Sequence, residues 1–155
     1  MHETTGWAAA IDRLYESVGQ EERLAAALGD FREFFDARGV TFLSTPDPMS
    51  QQSAHVGAIG VSPESLVAYH SHFNRYDAWV QAAWVRDKGI FPGATYRGTD
   101  LVPRRDLQRS YFWKSFLVPH GVSDVLCCVV EAPGAASAAS FVSFYRHAGD
   151  RKSVV

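Results

Sequence analysis

The sequence predicts an α+β domain: a central antiparallel sheet of about five strands with helices packed on its faces. Three observations point there. Apolar residues at helical spacing open the chain, two long β-branched and aromatic runs joined by a Pro-Gly turn close it, and a helical middle stands between them. Strands and helices do not alternate, so a doubly wound parallel sheet is excluded. A chain of 155 residues builds one domain. At that length folding buries roughly 70% of the unfolded surface, enough for a core without disulfides or a structural metal.

The elements follow in order. Trp7, Ile11, Leu14 and Val18 form one helical stripe, closed by Gly19. A second helix is expected from about Glu21 to Ala37. Leu24, Leu28, Phe31 and Phe35 form its stripe, with Glu21 and Glu22 at the positive end of its dipole. Val40 to Ser44 reads as a strand, and residues 45–53 as a turn and polar loop. Ala54 to Val61 reads as a second strand, weakened by Gly57 and Gly60. Ser62 and Pro63 start a helix, as N-cap and first helical residue, and it is expected to reach about Arg75. Asp77 caps a short helix through Arg86. A loop at 88–93 and a short strand from Ala94 to Arg97 come next. Helices open at Pro103 and at Ser110, the latter carrying Phe112, Trp113 and Phe116. Val122 to Glu131 and Ala138 to Arg146 then form a hairpin.

Composition narrows the function. Lys and Arg number 15 against 17 Asp and Glu, a balance unlike that of a standalone nucleic-acid binder. The basic group of Arg104, Arg105, Arg109 and Lys114 reads as a solvated helix face. No apolar run is long enough to span a membrane, and the N-terminus lacks the apolar stretch of a signal peptide, so a cytoplasmic protein is expected. Cys127 and Cys128 are adjacent on a strand and point to opposite faces, which disfavours a shared metal or an ordinary disulfide. HExxH, CxxC, GxSxG, P-loop and GxGxxG motifs are absent, so neither metal, cofactor nor catalysis is expected.

Ten Phe, six Tyr and four Trp are enough to line an apolar pocket as well as a core. The stretch from Tyr69 to Trp79 is the most distinctive. On a continuous helix Tyr69, His72, Phe73 and Tyr76 share a face that mixes rings with polar tips, as in a small-molecule pocket wall. Strand alternation sends Val40 and Phe42 to the face opposite Leu43. It groups Val125, Cys127 and Val129 on one face, and likewise Phe141, Ser143 and Tyr145.

The run YHSHF from Tyr69, followed by Asp77, Ala78 and Trp79, resembles the "Y..HY…DPW" segment of the sensor half of LuxR-type transcriptional regulators. The stretch from Pro92 through Leu101, Val102, Pro103, Leu107, Ser110, Tyr111, Phe112 and Phe116 to Gly121 is similar to their "G..LVP…L..S.FY.dFLrP.G" run. With the leading helices and the closing hairpin, the resemblance spans nearly the whole chain. Ala78 departs from it, standing where the pattern has Pro. The resemblance implies a PAS/GAF-like sensor domain over residues 1–147, a tail at 148–155, and a pocket between sheet and middle helices. It implies a homodimer that contacts DNA only through a separate helix-turn-helix domain absent from this sequence.

The expected ligand is an apolar or aromatic small molecule. The candidate wall is Phe42, Tyr69, His72, Tyr76, Asp77, Trp79, Trp84, Trp113 and Phe116, with Asp77 and Tyr69 as polar anchors. The first helix, with Trp7 and Leu14, serves either as dimer surface or as packing on the sheet. The alternatives are a ligand-free dimerisation or protein-interaction module whose aromatics fill the pocket, and a small enzyme using Asp77 or a His as base.

Overall fold

The computed structural model describes residues 9–10, 12–14, 16–17, 20–45, 54–86, 93–131, 139–147 and 149. Its strands are β1 (Gly39–Thr45), β2 (Ala54–Ile59), β3 (Thr95–Arg97), β4 (Val122–Glu131) and β5 (Ala139–His147). They form one sheet in the order β2-β1-β5-β4-β3, every pair antiparallel. The expected α+β architecture is observed, with helices on both faces of the sheet.

Helix α1 (Glu21–Phe34) covers one face. Its buried Leu24, Leu28 and Phe31 meet Val40, Phe42, Val142 and Phe144, the residues that alternation sends to this side of β1 and β5. The Phe31 and Phe144 rings meet edge to face at 6.0 Å. Helical residues 9–10, 12–14 and 16 precede α1. Leu14 is buried in the same cluster, so it is core and not an exposed dimer stripe. Trp7, Ile11 and Val18 lie outside the described residues.

Helix α1 closes three residues before the Ala37 expected from the sequence. Asp36 turns to φ 49, Ala37 N–H donates to Arg32 O (3.0 Å) and Asp36 N–H to Glu33 O (3.1 Å). This is the left-handed closure of a Schellman motif, with Asp where glycine is usual. The second positive-φ position that matters is Gly60 (φ 69), where a Cβ would collide with the Arg38 carbonyl.

The other face carries α2 (Pro63–Ser71), a 3₁₀ turn (Phe73–Tyr76), α3 (Ala78–Arg86), α4 (Gly98–Leu101), α5 (Arg104–Arg109) and a π-helical turn (Trp113–Leu117). The expected caps are present. Ser62 Oγ accepts from Ser65 N–H (3.2 Å), and Ser110 Oγ from Trp113 N–H (3.1 Å). The helix expected to reach Arg75 stops at Ser71. His72 leaves helical geometry at φ −144, and the chain re-enters as the 3₁₀ turn. The 45–53 loop lies outside the described residues apart from Thr45, which ends β1. The 88–93 loop and the hairpin turn do too, apart from Gly93.

Candidate ligand cavity

Between the sheet and this second helical layer lies a partly open cavity of ≈ 300 Å³. Its floor is built by strand alternation. Thr41 and Leu43 on β1, Val125 and Cys127 on β4, and Phe141, Ser143 and Tyr145 on β5 all point into it, while their neighbours face α1. The roof comes from Ser65, Leu66 and Tyr69 of α2, Trp79, Val80 and Ala83 of α3, and Phe112, Phe116 and Leu117 at the π-helical turn.

Asp77 organises the roof. Its Oδ1 accepts from the backbone N–H groups of Trp79 (2.9 Å) and Val80 (3.1 Å), which makes it the N-cap of α3. Its Oδ2 accepts from the Tyr69 hydroxyl at 2.8 Å. One carboxylate thus ties α2 to the start of α3 across the break at His72. Asp77 is only 6% exposed. Burial raises its pKa against the opposing pull of the Tyr69 hydroxyl and the two backbone donors. Burial first, and then the nearby Asp77 carboxylate, push the Tyr69 phenol well above its ordinary value.

The floor holds a second polar group. The Thr41 and Tyr145 hydroxyls share a hydrogen bond of 3.1 Å, and the Ser143 hydroxyl lies beside both Tyr145 and the Cys127 thiol. Burial lifts Cys127 and Tyr145 each to about 12. The thiol is therefore protonated at neutral pH and a poor nucleophile. Cys128 packs on the α1 side, as alternation predicts. Among the described residues no group of His, Cys, Asp and Glu is placed to hold a metal ion.

Of the nine candidate wall residues, Tyr69, Asp77, Trp79 and Phe116 line the cavity. The other five do not, each for a local reason. Phe42 sits on the α1 face, one residue out of phase with Thr41 and Leu43. His72 and Tyr76 are turned outward by the helix break. They join Tyr111 at the surface, where His72 Nε2 lies 3.1 Å from the Tyr111 hydroxyl and Tyr76 is 40% exposed. Trp84 packs beside the cavity against the cluster of Ala83, Ala94 and Tyr96. Trp113 stacks under the Arg104 guanidinium at 5.7 Å.

Sequence reasoning left Thr41, Phe112, Ser143 and Tyr145 out of the wall. The period-two pattern held the signal for the three on strands, since it groups them on one face with Leu43 and Phe141. Phe112 carried a signal as well, since it stands four residues before Phe116 on the same helical face and the two rings stack at 5.3 Å.

No protein-family model matches the chain, and no curated protein matches its sequence. Among solved structures it resembles the crystal structure of the VqsR LBD domain from Pseudomonas aeruginosa, with a TM-score of 0.61 at 15% sequence identity. The likeness covers 90% of this chain and 79% of that one, so the chain shares the fold of that LBD domain.

Proposed function

We propose that this chain is the small-molecule-sensing and dimerisation domain of a LuxR-type transcriptional regulator, and not an enzyme. Its ligand would be an apolar or aromatic molecule held between sheet and helices. The observation that carries this reading is the cavity itself: a partly open space of ≈ 300 Å³ walled by rings and aliphatic side chains, with a few polar groups converging on it. Its shared fold with the VqsR LBD domain and the motif run from Tyr69 to Gly121 support the same reading. The cavity weighs against a module whose aromatics fill their own pocket. In the whole regulator, sensing would act through the dimer on a separate DNA-binding domain in the cytoplasm. A ligand acts there only by its differential affinity for two arrangements of that dimer.

The test uses the uncharged, environment-sensitive dye Prodan. Saturable binding with a blue-shifted emission is expected for the wild-type chain, and its loss in Ser143→Trp, which fills the floor. Native mass spectrometry of the same sample reads the dimer and any retained small molecule. A folded wild-type chain that takes up no dye and carries no added mass would overturn the sensing role.

A further inference from the structure

The cavity opens at one end of the sheet. Among the described residues that line it, only Gly60 and Ser62 are exposed. Both stand where β2 ends and α2 begins, beside the start of β1. His147 at the end of β5 and Val122 at the start of β4 continue the same edge, since these two residues pair across the sheet. His120 stands in the turn just before Val122. A Cβ at Gly121 would lie 3.7 Å from His147 Nδ1, so the His147 ring rests against the turn that carries His120. Both imidazoles line the cavity.

This mouth offers donors and holds no carboxylate. An imidazole carries at least one N–H in either protonation state, and the Ser62 hydroxyl, which accepts from Ser65 N–H, keeps its own hydrogen to donate. The one carboxylate among the lining residues is Asp77, in the roof and already met by three donors. A cation stands directly behind the mouth. Arg146 precedes His147 on β5 and points to the opposite face of the sheet. It is 8% exposed, its Nε has no hydrogen-bond partner, and it forms no ion pair among the described residues. Asp124, its register partner on β4, accepts from Val125 N–H instead. Asp36 and Glu64 are exposed and do not line the cavity, while Arg32 reaches the far side of Gly60. A buried charge with no local partner is costly and keeps its field, because little water screens it.

From this juxtaposition we infer that the proposed sensing site takes an elongated, apolar-bodied acid, its carboxylate at the mouth between His120 and His147. The inference rests on the sensing reading and deepens it to a chemical class. The imidazole N–H groups donate to the carboxylate, and the unneutralised charge of Arg146 favours an anion at this end of the sheet. The apolar body runs inward toward Leu43 and Phe141, which pair deep along β1 and β5 and line the cavity. An ammonium head at the same place would meet donors and a buried cation.

The experiment compares three probes of one chain length by calorimetry: decanoate, 1-decanol and decylamine. Decanoate is expected to bind the wild-type chain about tenfold or more tighter than 1-decanol, the scale of a charge-assisted over a neutral hydrogen bond. Decylamine is expected to bind more weakly than either. Replacing both imidazoles, His120→Leu with His147→Leu, should bring decanoate level with 1-decanol and leave 1-decanol unchanged. In the wild type, the ring NMR signals of His120 and His147 should shift more with decanoate than with 1-decanol, and this measurement decides the matter should the double variant fail to fold. An alcohol or amine that binds as tightly as decanoate, a decanoate lead that survives in the folded double variant, or ring signals that decanoate leaves unmoved would each overturn the inference. If none of the three binds while Prodan still does, the acid class is wrong and the sensing site stands. If Prodan fails as well, both fall.

Discussion

At the scale of single residues, Asp77 serves as helix cap, inter-helix tie and buried charge at once, and its titration should show in stability. Tyr69 faces it from α2, and Cys127 of β4 and Tyr145 of β5 are its titratable neighbours across the cavity. Burial raises the native pKa, so the native chain holds this proton to higher pH than the unfolded chain does. Between the ordinary aspartate value and the raised one the native state binds more protons, and stability falls as pH rises through that interval. Urea unfolding across pH should show the decline in the wild type and its absence in Asp77→Asn. Tyr69→Phe removes the donor at Oδ2 and should cost about 1.5–3 kcal/mol, the range for a hydrogen bond to a charged group. Asp77 and Tyr69 were legible in the sequence as polar tips in an aromatic stretch. Their hydrogen bond was not, because it spans a helix break that a continuous 3.6-residue period hides.

At the scale of elements, caps and alternation were readable while interruptions were not. Ser62, Asp77 and Ser110 announce helix starts by side-chain chemistry alone, and each cap bond is present. The end of α2 carries no such sign. Neither Gly nor Pro stands near Ser71, so tertiary packing of Tyr69 and Phe73 around Phe116 decides where the helix yields. Misreading that one boundary moved His72 and Tyr76 from the surface to the pocket. The start of α4 sets another constraint. A Cβ at Gly98 would lie 2.8 Å from Trp79 Nε1 and 2.6 Å from Asp124 Oδ1, so the tryptophan reaches the cavity wall only because this residue has no side chain. Gly98→Ala should lower unfolding free energy by about 1–3 kcal/mol, the usual cost of overpacking, and should weaken Prodan binding by shifting Trp79. Chemical denaturation and dye titration on one preparation read both effects.

At the scale of the whole molecule, the sheet divides two kinds of apolar space. The α1 face is closed, with Leu28, Phe31 and Phe144 at most 2% exposed, while the opposite face leaves a cavity. Stability and binding should therefore separate by face. Phe31→Ala should cost about 3–5 kcal/mol and leave Prodan affinity unchanged wherever the chain stays folded, as a closed-core truncation does. Phe116→Ala should change dye affinity more than any α1-face substitution of equal size. The adjacent cysteines sample this division within one dipeptide, Cys127 facing the cavity and Cys128 the α1 core. The antiparallel sheet and its two-faced strands were foreseeable from alternation. Which face stays open was not, since that depends on how well helices cover it, and apolar spacing does not report helix coverage.

The position of β5 carries a consequence for how the chain is made. Strand β5, the last of the described strands, occupies the middle of the sheet, between β1 and β4, and the bond between Thr41 and Tyr145 joins residues 104 positions apart. During synthesis the first hairpin and the helical middle emerge while the strand that joins them is still unmade. Three of the seven floor residues lie on β5, so the nascent chain has no complete cavity, and shows an unpaired β1 edge, until that strand has left the ribosome. If the proposed ligand binds this cavity, it would act first as a folding aid, capturing the sheet as β5 docks and raising the yield of intact protein.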